Sequence, residues 1–358
     1  MEEAGGPYGG ETRSSLFGLF PPEPQVLLLR PPTADRIAAA MGVIDPVFLR
    51  TPLLRETSLD RALGLELLLK VETLNPIRSF KGRGTDLLVS GLKDERVLVC
   101  ASAGNFGQGL ARAGAKHNRT VVVFAARSAN QLKVSAMRDL GAEVRSFGAD
   151  FDAAKVAARR YAASTHAYYV EDGAMPEIAE GAGTMALELS EAGLMPEFML
   201  VPLGNGALAT GIGAWCRHSE PGTRVIGVVA QGAPSMRLSF AAREPVATET
   251  ADTIADGVAV REPVAYAVSC MRDTIDEVVT VRDESIVRAM RLVHGHTGLV
   301  VEPAGVMGVA AVLENLARWK GASVATPLCG GMVTQDDARQ WFLAPATAGQ
   351  RGSANATT

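Results

Sequence analysis

Short apolar runs rich in β-branched residues recur along the chain, separated by stretches with helical spacing. The runs include Leu67–Val71, Val97–Cys100, Val121–Phe124, Tyr168–Val170, Phe198–Val201, Val225–Val229, Val278–Val281 and Val324–Leu328. Each is too short for a helix. Between them, positions such as Leu132, Ala136, Met137 and Leu140 share one helical face, with Gly141 as a C-terminal stop. Strand–helix alternation of this kind predicts an α/β fold of mainly parallel sheets flanked by helices. In open sheets of that class, ligands sit beyond the carboxyl ends of the strands, so the residues following each strand carry the functional signal.

A chain of 358 residues exceeds one small core and suits two domains, and 47% apolar residues can fill them. The formal net charge of -4, with no long basic run, argues against nucleic-acid or membrane-surface binding. No apolar run approaches the ~20 residues of a membrane span. No basic segment followed by an apolar core opens the chain, so no signal peptide is expected. Cys100, Cys216, Cys270 and Cys329 lie far apart. That is neither a disulfide framework nor a zinc spacing, and a reducing cytoplasm is the simplest setting. Residues 1–24, rich in Gly, Glu and Pro, are expected to form a loose arm, and Ala344 to Thr358 a frayed tail.

Leu74 to Gly84 places Lys81 between an Asn75-Pro76 turn signal and Gly82 and Gly84. The glycines let backbone pass close to another group before a helix expected from Thr85. A lysine amine that sheds its proton can form a Schiff base with a carbonyl cofactor.

Three strand ends add to this. After Val97–Cys100 comes Ala101-Ser102-Ala103-Gly104-Asn105-Phe106-Gly107-Gln108-Gly109, then an alanine-rich helix. Small residues at a helix N-terminus expose N–H groups that suit a carboxylate or phosphate, though a plain strand–helix turn uses the same residues. After Phe198–Val201 comes Gly204-Asn205-Gly206-Ala207-Leu208, whose backbone could cradle a phosphate. No Gly-Lys-Ser/Thr follows, so this is no Walker loop. Val225–Val229 ends in Ala230 and Gln231 with no acidic residue for a ribose, which disfavours a nicotinamide cofactor. After Val324–Leu328, Cys329 puts a thiol at a strand end where it could meet a ring heteroatom, or simply be a buried structural cysteine.

Together these motifs resemble the fold-type II pyridoxal-phosphate enzymes, closest to the serine/threonine dehydratases. The resemblance runs from about Arg50 to Val333. It rests on Ser79-Phe80-Lys81-Gly82-Arg83-Gly84, Ser102 to Gln108, Gly204 to Leu208, Thr253-Ile254-Ala255-Asp256-Gly257-Val258-Ala259-Val260 and Val301-Glu302-Pro303-Ala304-Gly305. It implies a two-domain fold like the tryptophan synthase β chain and pyridoxal 5'-phosphate as cofactor. Lys81 would be the Schiff-base lysine and the base at Cα. Phe80 would pack on the cofactor ring, Asn105 would bond its hydroxyl, and Glu302 would lie near its edge. Gly204, Asn205, Gly206, Ala207 and Leu208 would bind the phosphate, and Cys329 would face the pyridine nitrogen. Ser102, Ala103, Gly104 and Asn105 would hold the substrate carboxylate.

The resemblance further implies α,β-elimination on a β-hydroxy or β-substituted amino acid such as threonine or serine, giving a 2-oxo acid and ammonia. A β-replacement synthase resembling cysteine synthases, or a non-catalytic protein on this scaffold, would carry the same framework. Departures from the family pattern bear on the substrate. The phosphate loop reads Gly204-Asn205-Gly206-Ala207 where many relatives have four glycines, Met332 stands where relatives often carry Asn, and Phe106 where many have His. Ala103 replaces the second acid/base serine of the family's racemases, and a methyl group cannot move a proton. The carboxylates that bind a divalent metal in some relatives are missing at Ala230 and Gln231. The resemblance suggests a homodimer, with a small mobile domain over 103–180 and a discontinuous large domain over 25–102 and 181–342.

Overall fold

The computed structural model describes residues 30–343; the arm expected over 1–24 and the tail from Ala344 lie outside them. Among the described residues, ten strands form two sheets: β1 (Leu53–Arg55), β2 (Glu66–Val71), β3 (Leu98–Ala101), β4 (Val121–Ala125), β5 (Glu143–Ser146), β6 (Tyr168–Tyr169), β7 (Phe198–Pro202), β8 (Arg224–Ala230), β9 (Glu277–Val281) and β10 (Ser323–Leu328). The larger sheet runs β1-β2-β10-β7-β8-β9 and the smaller β5-β4-β3-β6. Every strand pairing is parallel except β1 with β2. All eight apolar runs form strands at the expected places. The two strands the apolar runs do not mark, β1 and β5, are short sheet edges with half-polar sequences (Leu-Leu-Arg and Glu-Val-Arg-Ser). Neither has a fully buried residue, so the apolar signal fades there. The smaller sheet already includes β3, upstream of residue 103. Among the described residues, no helix is long and apolar enough to cross a membrane.

One helix serves both sheets. Pro176–Glu191 gives Ile178 and Ala179 to the core of the smaller sheet. Ala182, Met185, Ala186 and Leu189, spaced along one helical face, enter the core of the larger. The helix bearing Lys81 crosses it at a contact with room for no side chains. A Cβ on Gly84 would lie 2.6 Å from the Ile178 backbone, and one on Gly181 would lie 2.5 Å from Gly84 Cα. That helix spans Lys81–Gly91, four residues earlier than the start expected at Thr85. Gly84 therefore serves helix packing inside it rather than a preceding loop, and Gly82 makes room for the Phe48 ring.

A buried ionic network fixes the same helix. Arg83 is fully buried; its guanidinium lies 2.8 Å from Glu72 Oε1 and 2.5 Å from Glu188 Oε1. Lys70 Nζ is 2.5 Å from Glu188 Oε2 and donates to the Thr51 carbonyl at 2.6 Å. Thr184 Oγ1 accepts from Arg83 Nη1 at 2.8 Å. Two cations thus face two carboxylates in a dry interior. Burial pushes the Glu188 carboxyl up, but Arg83 and Lys70 outweigh it and hold it below the usual range.

Candidate active site

Lys81 is the first residue of its helix, and the turn before it is closed by one side chain. Asn75 donates from Nδ2 to the Glu72 and Ser79 carbonyls at 2.9 and 3.0 Å and accepts from Ile77 N and Ser79 N, both at 3.2 Å. An Asx-type turn of this kind suits a residue that Pro76 holds out of the helix region. Ser79 pairs with Gly330 as an isolated bridge, and Phe80 N donates to the Cys329 carbonyl at 3.1 Å. The loop leading into Lys81 is therefore laced to the carboxyl end of β10.

The amine itself points into a partly closed crevice. Lys81 Nζ lies 4.7 Å from the Phe80 ring centre, 5.7 Å from that of Phe106, and donates to Asp172 Oδ2 at 2.6 Å. The Lys81 and Asp172 side chains are each only 15% exposed. Asp172 Oδ2 also lies 3.5 Å from Asn205 Nδ2, on the glycine loop. In that loop Gly206 has φ +96 and caps the helix Ala207–Ser219, while Ala207 and Leu208 are buried at its start. Gly204 abuts the Thr253–Val260 run, for a Cβ there would fall 2.7 Å from the Gly257 carbonyl oxygen.

Ser102 shapes the turn after β3. Its Oγ accepts from Gly104 N at 3.1 Å and from Gly107 N at 2.9 Å, and the helix Asn105–Lys116 follows. Ala103 is half-buried on this turn. Asn105 Nδ2 donates to Glu302 Oε1 at 2.6 Å. Gly330 lies against that pair: a Cβ there would lie 1.9 Å from Glu302 Oε1 and 2.9 Å from Asn105 Nδ2. Cys329 is buried beside them, its Sγ 3.7 Å from the Ala304 carbonyl oxygen. Burial and the nearby Glu302 push its thiol far up, against the pull of Lys81, so it is a neutral group.

Sequence reasoning missed three charged residues here. Asp172 follows the run Tyr168–Val170, so the strand-end rule applied once more would have marked it. Asp256 lies inside a recognised motif but had no role. Lys133 carries no local signal. Its Nζ lies 2.7 Å from Asp256 Oδ2 and 3.6 Å from Glu302 Oε2, and a Cβ on Gly104 would lie 3.5 Å from that amine. Burial pushes the Glu302 carboxyl up, and Asp256 adds to this, while Lys133 opposes it.

A family model described as pyridoxal-phosphate dependent enzyme matches residues 44–330. The chain belongs to that family. The L-threonine ammonia-lyase of Thermotoga maritima is 34% identical over 304 residues, 84% of this chain and 76% of that protein. The biosynthetic L-threonine dehydratase of Lactococcus lactis is 30% identical over 309 residues, 84% of this chain and 74% of that protein. Among solved structures, the threonine deaminase of T.th. superposes with a TM-score of 0.79 at 32% identity, covering 85% of this chain and 99% of that one. Maize serine racemase gives 0.81 at 27% identity, covering 87% and 97%.

The residues fit pyridoxal phosphate, the cofactor of this family. An amine flanked by aromatic rings suits its aldehyde, and a helix N-terminus opened by a left-handed glycine suits its phosphate. A neutral thiol and an amide suit its ring nitrogen and hydroxyl. Glu302 Oε2 is buried with no hydrogen-bond partner among the described residues, which marks a polar wall facing the crevice.

Proposed function

We propose that this chain is an ammonia-lyase that removes water from a β-hydroxy amino acid, threonine or serine, releasing a 2-oxo acid and ammonia. The observation that carries the reading is the convergence on Lys81 of the Phe80 ring, Asp172, the Asn205 loop and the Cys329 strand end. The similarity to threonine ammonia-lyases supports the substrate class.

Bound pyridoxal phosphate supplies an aldehyde for the substrate amine and a conjugated ring that draws electrons from Cα. The chain's own groups do the rest. Lys81 Nζ would hold the cofactor between turnovers and take the Cα proton during them. Phe80 would flank the ring, and the second amide hydrogen of Asn105 is free for a ring oxygen while the first is held by Glu302. Backbone N–H groups of Gly204, Asn205, Gly206, Ala207 and Leu208 would bind the phosphate. The neutral Cys329 thiol would leave the pyridine nitrogen short of full protonation, which favours expulsion of the leaving group over charge storage in the ring. Ser102 and Gly104 would set the turn on which Ala103 and the first N–H groups of the next helix meet the substrate carboxylate. Ala103 offers no acid or base on that side, which favours elimination over racemisation.

This reading includes a homodimer in a reducing cytoplasm; all four cysteines are free and buried. Incubation with pyridoxal phosphate and L-threonine or L-serine should release a 2-oxo acid and ammonia in equal amounts. Lys81→Ala should lose both the bound cofactor's absorption band and turnover, and turnover at the parent rate would overturn the assignment. Added thiol donors should not divert the product to a β-substituted amino acid; diversion would favour a β-replacement synthase.

A further inference from the structure

Asp172 is placed differently from an ordinary surface acid. Its neighbour Glu171 points to charges on the same lobe, 2.6 Å from Lys155 Nζ and 2.9 Å from Arg159 Nη2. Asp172 instead faces Lys81 at 2.6 Å, and its second oxygen, Oδ1, is buried with no hydrogen-bond partner among the described residues. The backbone after it is pinned: Gly173 has φ +86, and a Cβ there would lie 2.2 Å from the Asn205 carbonyl oxygen. A carboxylate with one oxygen on the reactive amine and the other held by no described residue can take a proton on the first and, by turning about its Cβ–Cγ bond, carry it to a neighbouring group.

We infer that Asp172 is a catalytic acid–base residue, carrying the proton that Lys81 removes from Cα to the departing β-hydroxyl. The inference rests on the dehydratase reading. Lys81 Nζ takes the proton as the Cα–H bond breaks and passes it along the 2.6 Å contact to Asp172. The electron pair of that bond becomes the Cα–Cβ double bond. The Cβ–O bond breaks, its pair goes to oxygen, and Asp172 protonates that oxygen, so that water leaves. Both side chains end as they began, and no outside proton is consumed.

The leaving group tests this. Hydroxide must be protonated to depart, whereas chloride need not be. Asp172→Asn, saturated with pyridoxal phosphate, should keep the cofactor's absorption band. It should lose about 10²–10³-fold in serine and threonine elimination, the worth of one positioned acid. Elimination from β-chloroalanine, and exchange of the alanine Cα proton in D2O, should stay within a few-fold of the parent. Asp172→Glu, which keeps the carboxyl, should recover part of the serine rate. Equal losses with serine and β-chloroalanine, no loss with either, or loss of the absorption band would each overturn the inference by making Asp172 a positioning or structural group. A parent protein that carries the band yet eliminates neither substrate fails the dehydratase reading itself, and the inference with it.

Discussion

Lys133 Nζ lies 2.7 Å from Asp256 Oδ2, and the contact joins the two halves of the molecule. Lys133 belongs to the helix Gln131–Asp139 beside the smaller sheet, and Asp256 to a short turn packed on the larger one. The same amine reaches Glu302, 3.6 Å away, behind Asn105.

Lys133→Met should therefore weaken the protein and loosen the Asn105–Glu302 wall. Asp256 is 53% exposed and keeps much of its hydration, so the loss should be about 1–3 kcal/mol, below the figure for a fully buried broken pair. The deficit should grow with pH. Burial holds the Glu302 carboxyl above its ordinary value in the folded state. An acid raised on folding costs stability as pH climbs from its unfolded value, about 4.3, up through the folded one. Removing the opposing cation widens that span. Urea titrations of both proteins from pH 5 to pH 8 check the trend.

Arg83→Ala should cost about 3–5 kcal/mol, because it leaves Glu72 and Glu188 buried with only Lys70 between them. Arg83→Lys should recover little, since one ammonium cannot replace a fork that meets two carboxylates. Chemical denaturation of the three proteins measures the difference.

Acid should unfold the parent through the same network. Glu188 is held below the ordinary carboxylate range, as is Glu171, where burial is outweighed by Lys155 and Arg159. A carboxyl depressed on folding contributes stability that is present above the unfolded value of about 4.3 and is lost as pH falls through the folded value. The Arg83→Ala deficit should accordingly shrink below about pH 4. Unfolding midpoints followed by circular dichroism from pH 6 to pH 3 check this.

Two glycines of one helix should respond with opposite sign. Gly84→Ala forces a methyl against the Ile178 backbone, which no rotamer relieves, and should cost about 1–3 kcal/mol while shifting Lys81. Gly91→Ala, where a Cβ meets nothing within 4 Å, should be neutral or stabilising by up to about 1 kcal/mol. Melting temperatures and turnover of the pair decide it.

The fold was legible where burial is strongest. Leu67–Val71 and Val324–Leu328 pair in register deep in the larger sheet, and their apolar runs announce it. Glu143–Ser146 lies at an edge and announces nothing. In the crevice, Lys81, Asn105 and Cys329 sit beside turn or strand-end signals visible locally. Asp172 also follows a strand end, but its role, like that of Lys133, arises only where a distant segment arrives: Asp172 is 91 positions from Lys81, and Lys133 is 123 from Asp256. Gly82 and Gly84 do allow the expected close approach, but within the helix rather than before it. Gly84 makes room for a crossing helix and Gly82 for the Phe48 ring, neither of which the local sequence reveals.

The placement of β10 has a consequence for how the protein comes into being. It is inserted between β2 and β7, so Ser323 must find Glu66 across nearly the whole chain. The four-stranded sheet draws only on Leu98 to Tyr169 and can assemble early in synthesis. Its six-stranded partner must wait for the ribosome to release Leu328, and with it Cys329 and Gly330. The crevice around Lys81 is thus sealed last, and a polypeptide cut short before that strand emerges has a finished lobe and no working enzyme.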